Sequence, residues 1–285
     1  MRAVKTLFLL TALTLLLVFG GEAIAGQRGM TIALIMAVVM NGGAYFFSDK
    51  IALMSSGAQP VSREQLPRLY EVMERLTAKA SLPMPKLYVI PQAAPNAFAT
   101  GRNPSHASVA VTAGLMELMS DDELEGVIAH ELSHVRNYDI LITSIAATLA
   151  GAISWIGYMG RWAMIFGGFG GSRDDDRRGG GLAALLMILV APIAALLIQL
   201  GISRQREFSA DASGVRMVGH PNGLISALEK LGAYNSRIPM DVSPATASLF
   251  IVAPLSAGQV FSGLFSTHPP LSERIAVLRN MTVTR

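Results

Sequence analysis

Four long apolar runs constrain this chain more than any other feature. They span Leu7 to Ile24, Met30 to Phe47, Ile140 to about Trp155 with a weaker continuation toward Phe166, and Leu182 to Ile202. Each approaches the roughly 20 residues that a helix needs to cross a bilayer. They predict about four transmembrane helices and cut the chain into alternating parts. Residues 1–48 form an N-terminal transmembrane hairpin, 49–139 a first soluble part, 140–202 a second transmembrane hairpin and 203–285 a second soluble part. Gly151, Ser154 and Gly157 interrupt the third run, although small residues also suit close helix packing in lipid.

Composition agrees. The 285 residues are 51% hydrophobic and only 15% charged, against about 25% in an ordinary soluble domain. Mean hydropathy is +0.44. A net charge of +3 with no basic stripe argues against nucleic-acid binding. Cysteine is absent, so a metal site here has to use histidine and carboxylate.

The start, with Arg2, Lys5, an apolar run and Ala23-Ile24-Ala25, also looks like a cleavable secretory signal. A second apolar run follows within a few residues, and an uncleaved helix leading into a tight hairpin is the reading preferred. Arg2 and Lys5 before the first run and Lys50, Arg63 and Arg68 after the second place 48–139 in the cytoplasm. The arginines of the 161–181 loop oppose that orientation, and Arg204 and Arg206 after the fourth run agree with it.

Between the second and third runs stands His130-Glu131-Leu132-Ser133-His134. Ser120 and Glu123 form a capping box, and Leu124, Val127, Ile128 and Val135 continue it at helical spacing. Positions i and i+4 share a helix face, so His130 and His134 can both reach one Zn²⁺. Glu131 can then move the proton of a water activated at that metal. A catalytic zinc takes three protein ligands. Asp139, Glu207, Asp211 and His268 are the candidates for the third. Asp139 sits on a rotated face of the same helix. Glu207 is brought back beside His134 by the membrane hairpin. Asp211, four residues on, can orient a ligand histidine.

His130-Glu131-xx-His134, followed by Arg204-xx-Glu207-xx-Ala210-Asp211, resembles the HtpX membrane metalloproteases, relatives of the CAAX prenyl endopeptidases. The resemblance extends to Asn96-Ala97-Phe98-Ala99-Thr100-Gly101 and to Thr267-His268-Pro269-Pro270 with Arg274. It implies a bacterial inner-membrane, multi-pass, stress-linked zinc endopeptidase that degrades damaged membrane proteins, its catalytic domain facing the cytoplasm. It carries over Glu131 as the catalytic residue and His130, His134 and Glu207 as ligands of one Zn²⁺ per chain. The expected fold is mainly α (α+β): a zincin-type domain with a small sheet plus the membrane helices. Expected partners are the bilayer, membrane-protein or unfolded polypeptide substrates, and the chain itself through self-cleavage.

Elsewhere, residues 62–80 read as an amphipathic helix opened by a Ser62/Gln65 capping box. Residues 86–90 and 107–111 read as strands, and 222–231 and 271–278 as short helices. The Asn96 to Gly101 loop, with Asn96, Ala97 and Phe98, is a candidate border of the substrate cleft. His268 or Arg204 is a candidate oxyanion donor, and His106 and His220 read as surface residues. Two rivals follow from the same residues. One is a prenyl-peptide processing enzyme, for which four membrane segments look too few. The other is a membrane chaperone or scaffold with a structural or latent zinc site, in which Glu131 would have no role.

Overall fold

The computed structural model describes residues 2–149, 204–235, 237, 238, 240, 242, 244–252 and 269–281. The fourth apolar run, the third from residue 150 onward, the 161–181 loop and His268 lie outside these residues. The architecture is mostly helical with a small mixed sheet.

Helix α1 runs over Arg2–Ser55, yet it is not a straight rod. Asn41 Nδ2 donates to the Leu10 carbonyl at 3.3 Å and to Thr14 Oγ1 at 2.8 Å. At about 1.5 Å per residue a straight helix would hold these residues more than about 40 Å apart. The chain therefore doubles back, and Gly26, at φ +55°, is the left-handed residue where it does so. These residues form a helical hairpin, two arms of one helical element. Among the described residues one stretch, Gly26–Ser55, is long and apolar enough to cross a membrane. Ile32, Ile35, Val38, Val39 and Phe46 along it are exposed, an apolar surface that suits lipid.

The sheet holds β1 (Gln59–Pro60), β2 (Lys86–Ile90), β3 (Ala97–Gly101) and β4 (Ala107–Thr112) in the order β1-β2-β4-β3. β2 and β4 are parallel, whereas β1 pairs with β2, and β3 with β4, antiparallel. The segment read as a loop from Asn96 to Gly101 is thus an edge strand. Its Ala- and Gly-containing sequence carries weak strand propensity. Pairing from Ala97↔Val111 to Gly101↔Ala107 overrides that preference, and all five of its residues are buried.

Helix α2 begins at Pro67 and ends at Ala80, not at the expected Ser62. Ser62 and Gln65 do bond, from the Ser62 N–H to Oε1 at 2.8 Å, but they close a turn ahead of the helix. Pro67 clashes with a helical conformation at Leu66, whose ψ is +64°, so the helix starts on the proline.

After α3 (Ala113–Leu118), helix α4 (Asp121–Arg136) is the centre of the domain. Leu124, Val127, Ile128, Leu132 and Val135 are all fully buried. Tyr138, at φ +58°, breaks the chain direction before α5 (Asp139–Leu149). The chain then continues in α6 (Arg204–Val218), α7 (Asn222–Asn235), α8 (Pro244–Ala247) and α9 (Leu271–Arg279). Helices α6 and α7 pack on α4. A Cβ on Gly214 of α6 would lie 3.0 Å from the His130 backbone nitrogen, so glycine there permits the close approach of α6 to the histidine-bearing helix.

The capping box of α4 is formed in full. The Ser120 N–H donates to Glu123 Oε2 at 2.8 Å and the Glu123 N–H donates to Ser120 Oγ at 3.4 Å. Lys230 Nζ and Ser226 Oγ of α7 also donate to Glu123, at 2.7 and 2.5 Å. Burial opposes the charge of Glu123, but Lys230, Ser226 and Ser120 outweigh it and bring its pKa down from 4.5 to about 2. A depressed carboxylate stabilises the fold above its unfolded value and loses that contribution as pH falls through the folded one. Glu123→Gln is therefore expected to cost about 1–2 kcal/mol at neutral pH. The difference from wild type should shrink as pH falls from 4.5 toward 2, measured by thermal unfolding in detergent. A cost that does not change with pH would show that the charge of Glu123 is irrelevant.

Candidate metal centre

Three side chains from two helices converge at the middle of α4. His130 Nε2 and His134 Nε2 lie 3.2 Å apart, as one helical turn dictates. Glu207, from the first turn of α6, reaches both: Oε2 is 3.7 Å from His130 Nε2 and Oε1 is 3.5 Å from His134 Nε2. The donor atoms of the three residues all lie within 4.8 Å of one another. Ligand bonds of about 2.0–2.2 Å in tetrahedral geometry need donor–donor edges of about 3.3–3.6 Å. The histidine edge is close to that value, the three donors, one from each residue, lie within 4.8 Å of one another, and nitrogen and carboxylate oxygen are the donors zinc accepts.

Carboxylates back both histidines. His130 Nδ1 lies 2.8 Å from Asp211 Oδ1, and His134 Nδ1 lies 3.4 Å from Asp139 Oδ2. A proton held on each Nδ1 by its carboxylate leaves each Nε2 lone pair facing the triangle. Asp139 thus stands outside the triangle, at the opening of α5, behind His134. Arg274 of α9 completes the set with a paired contact to Asp211 at 2.8 and 2.6 Å.

The electrostatics follow from burial. Burial lowers the pKa of His130, with Arg274 and His134 adding to the effect and Asp211 opposing it. His134 is driven down by burial, but Asp139, Glu207 and Glu131 outweigh this and hold it above the ordinary value. Burial also opposes ionisation of Asp211, yet Arg274 and His130 keep its carboxyl below the usual range. Glu131 differs from these. Burial pushes it up to about 7, with Glu207 adding to the rise and His134, the Ala99 backbone N–H and Arg274 opposing it. A base poised near neutrality suits proton transfer at neutral pH.

Glu131 borders an open cleft lined also by Ala99, Thr143, Arg206 and the 248–251 segment. Arg204, named above as a donor, is exposed at the start of α6, and its neighbour Arg206 lines the cleft instead. Asn96, Ala97 and Phe98 face a different task. Asn96 Nδ2 donates to the Val252 carbonyl at 2.8 Å, and the Ile251 N–H donates to the Ala97 carbonyl at 2.9 Å. Phe98 packs edge-on against Phe250, with ring centroids 5.0 Å apart. These residues hold a strap, 249–252, along the outer edge of β3. No sequence pattern marks that strap, and the motif that contains Arg274 assigns it no role of its own. The signal for Arg274 was a cation on the apolar stripe Leu271, Ile275 and Leu278 of α9, since a buried charge demands a partner.

Two histidines of one helix, a glutamate from a second and a buried acid at the cleft are the parts of a metalloprotease site. The comparisons with known proteins agree. The model of peptidase family M48 matches residues 62–282, and the chain belongs to that family. It is 58% identical over 275 residues to a protease HtpX homolog of Desulfatibacillum aliphaticivorans, covering 96% of this chain and 88% of that one. With the homolog of Syntrophotalea carbinolica it shares 54% over 284 residues, 99% of this chain and all of the other (100%). Among solved structures, S. mikatae Ste24p matches with a TM-score of 0.50 at 21% identity. That match covers 97% of this chain and 65% of Ste24p, a likeness of fold.

Proposed function

We propose that the chain is a multi-pass zinc endopeptidase of the bacterial inner membrane that hydrolyses damaged or misfolded membrane proteins from the cytoplasmic side. The observation that carries this reading is the His130–His134–Glu207 triangle with Glu131 beside it at an open cleft. In it, His130, His134 and Glu207 hold the metal, and Asp211 orients His130. Zinc at such a site supplies Lewis-acid polarisation of a carbonyl and acidifies water. Glu131 takes the proton of the attacking water and passes it to the leaving amine nitrogen. Ala99 of β3 lines the cleft beside Glu131. The Ala97 carbonyl is already engaged by Ile251, so an extended substrate added to β3 starts beyond it, toward Ala99.

The membrane reading rests on the sequence of 140–202 as a second hairpin. Helix α4, with both histidines, ends at Arg136 just before that segment, and α6, with Glu207, starts at Arg204 just after it. Only a few residues separate His134 and Glu207 from it, a spacing that supports a site within roughly 10 Å of the bilayer surface. Loops of membrane proteins are the substrates such a position favours.

The test is cleavage of an unfolded model polypeptide by detergent-purified full-length protein reloaded with Zn²⁺. Cleavage that a chelator stops and Zn²⁺ restores is the expected result. One bound zinc per chain with no cleavage of any unfolded polypeptide would overturn the proposal in favour of a structural metal.

A further inference from the structure

Arg274 is fully buried and, among the described residues, is the sole lysine or arginine in that state. A guanidinium taken out of water is tolerated when its donors are paired. Here Nε donates to Asp211 Oδ2 at 2.8 Å, Nη2 to Asp211 Oδ1 at 2.6 Å, and Nη1 to the Ile251 carbonyl at 3.0 Å. The same Asp211 Oδ1 lies 2.8 Å from His130 Nδ1. Nη2 is itself 3.4 Å from that nitrogen, and Nη1 is 3.7 Å from Glu207 Oε2.

This connectivity separates a positioning role from a merely neutralising one. A lone carboxylate can turn about its side-chain bonds and accept from an imidazole at many angles. A two-pronged guanidinium contact fixes the plane of the carboxylate as well as its place. With the plane fixed, Asp211 can hold His130 in one tautomer and one ring orientation. Lysine could supply the charge but not the fork. The third donor ties the same guanidinium to the strap on the edge of β3, so one residue links the metal centre to the wall of the cleft.

We propose that Arg274 is a positioning residue that fixes the Asp211 carboxylate against His130 and thereby sets the geometry and affinity of the metal centre. The inference rests on the zinc reading above.

The test is zinc competition against a chromophoric chelator, with thermal unfolding in parallel, on the detergent-solubilised full chain. The set is wild type, Arg274→Gln, Arg274→Lys, Asp211→Asn and the Arg274→Gln/Asp211→Asn double variant. Arg274→Gln and Asp211→Asn are each expected to weaken zinc about 10–100-fold, the usual effect of losing an outer partner of a ligand histidine. Because Arg274 acts through Asp211, the double variant should lie within about threefold of the weaker single one rather than at the product of the two effects. Arg274→Lys should recover part of the loss. A folded Arg274→Gln that binds zinc within about twofold of wild type, or single effects that multiply, would overturn the proposal. If Arg274→Gln does not fold, a folded Arg274→Lys decides. Zinc about tenfold weaker supports the role, and wild-type affinity removes it. If neither variant folds, Arg274 is a core ion pair and the proposal falls. A wild-type chain that binds no zinc would sink the metal reading itself, an outcome distinct from all of these.

Discussion

Glu131→Gln is expected to lower kcat about 10²–10⁴-fold, the range that loss of a general base costs, while the fold and the bound metal survive. Glutamine is nearly isosteric, and it replaces a carboxyl that burial already holds at about 7, so the change imposes little on the core. Turnover by the purified variant, its metal content and its unfolding temperature check the three parts of this expectation together. Activity within about tenfold of wild type would remove Glu131 from the chemistry. Loss of metal or fold would make its role structural.

His130→Ala is expected to lose metal and activity together. It removes one corner of the triangle, where the nearest other corner, His134 Nε2, lies 3.2 Å away. It also leaves Asp211 and Arg274 facing an empty space. The loss of affinity should exceed the roughly 10–100-fold that an outer partner costs. A chelator should therefore lower the unfolding temperature of wild type, because bound ligand stabilises the folded state by mass action, and leave that of the variant unchanged. An equal chelator response in both proteins would place the metal elsewhere.

How much of this could be read from the sequence varies with the range of the interactions involved. The α4 helix was legible from its cap through His134, since its capping box, apolar stripe and two histidines are all set within a few residues of one another, but its end was not: Asp139, expected on the same helix, opens α5 after the left-handed turn at Tyr138. The hairpin in α1 was legible for a similar reason: two apolar runs with a short polar break leave few ways to fold in lipid. The start of α2 was misplaced because a real Ser62–Gln65 contact looks like a helix cap until the constraint of Pro67 on Leu66 is weighed.

The edge strand β3 could not be read, because Asn96-Ala97-Phe98-Ala99-Thr100-Gly101 carries no strand pattern of its own. Its conformation comes from β4 on one side and the 249–252 strap on the other. The same applies to the roles of its residues, since Asn96 and Phe98 act on Val252 and Phe250, more than 150 positions away.

The sequence by itself determined the chemistry on offer. His130, Glu131 and His134 share a helical turn, and Glu207 and Asp211 share another, because side chains three or four residues apart have to lie on one face of a helix. Only the tertiary structure decided how those turns meet. The close approach of α6 at Gly214 and the buried fork of Arg274 on Asp211 both depend on packing between segments that no local pattern relates. A buried charge is stable only where its partners arrive from elsewhere in the fold, and helix packing alone brings them there.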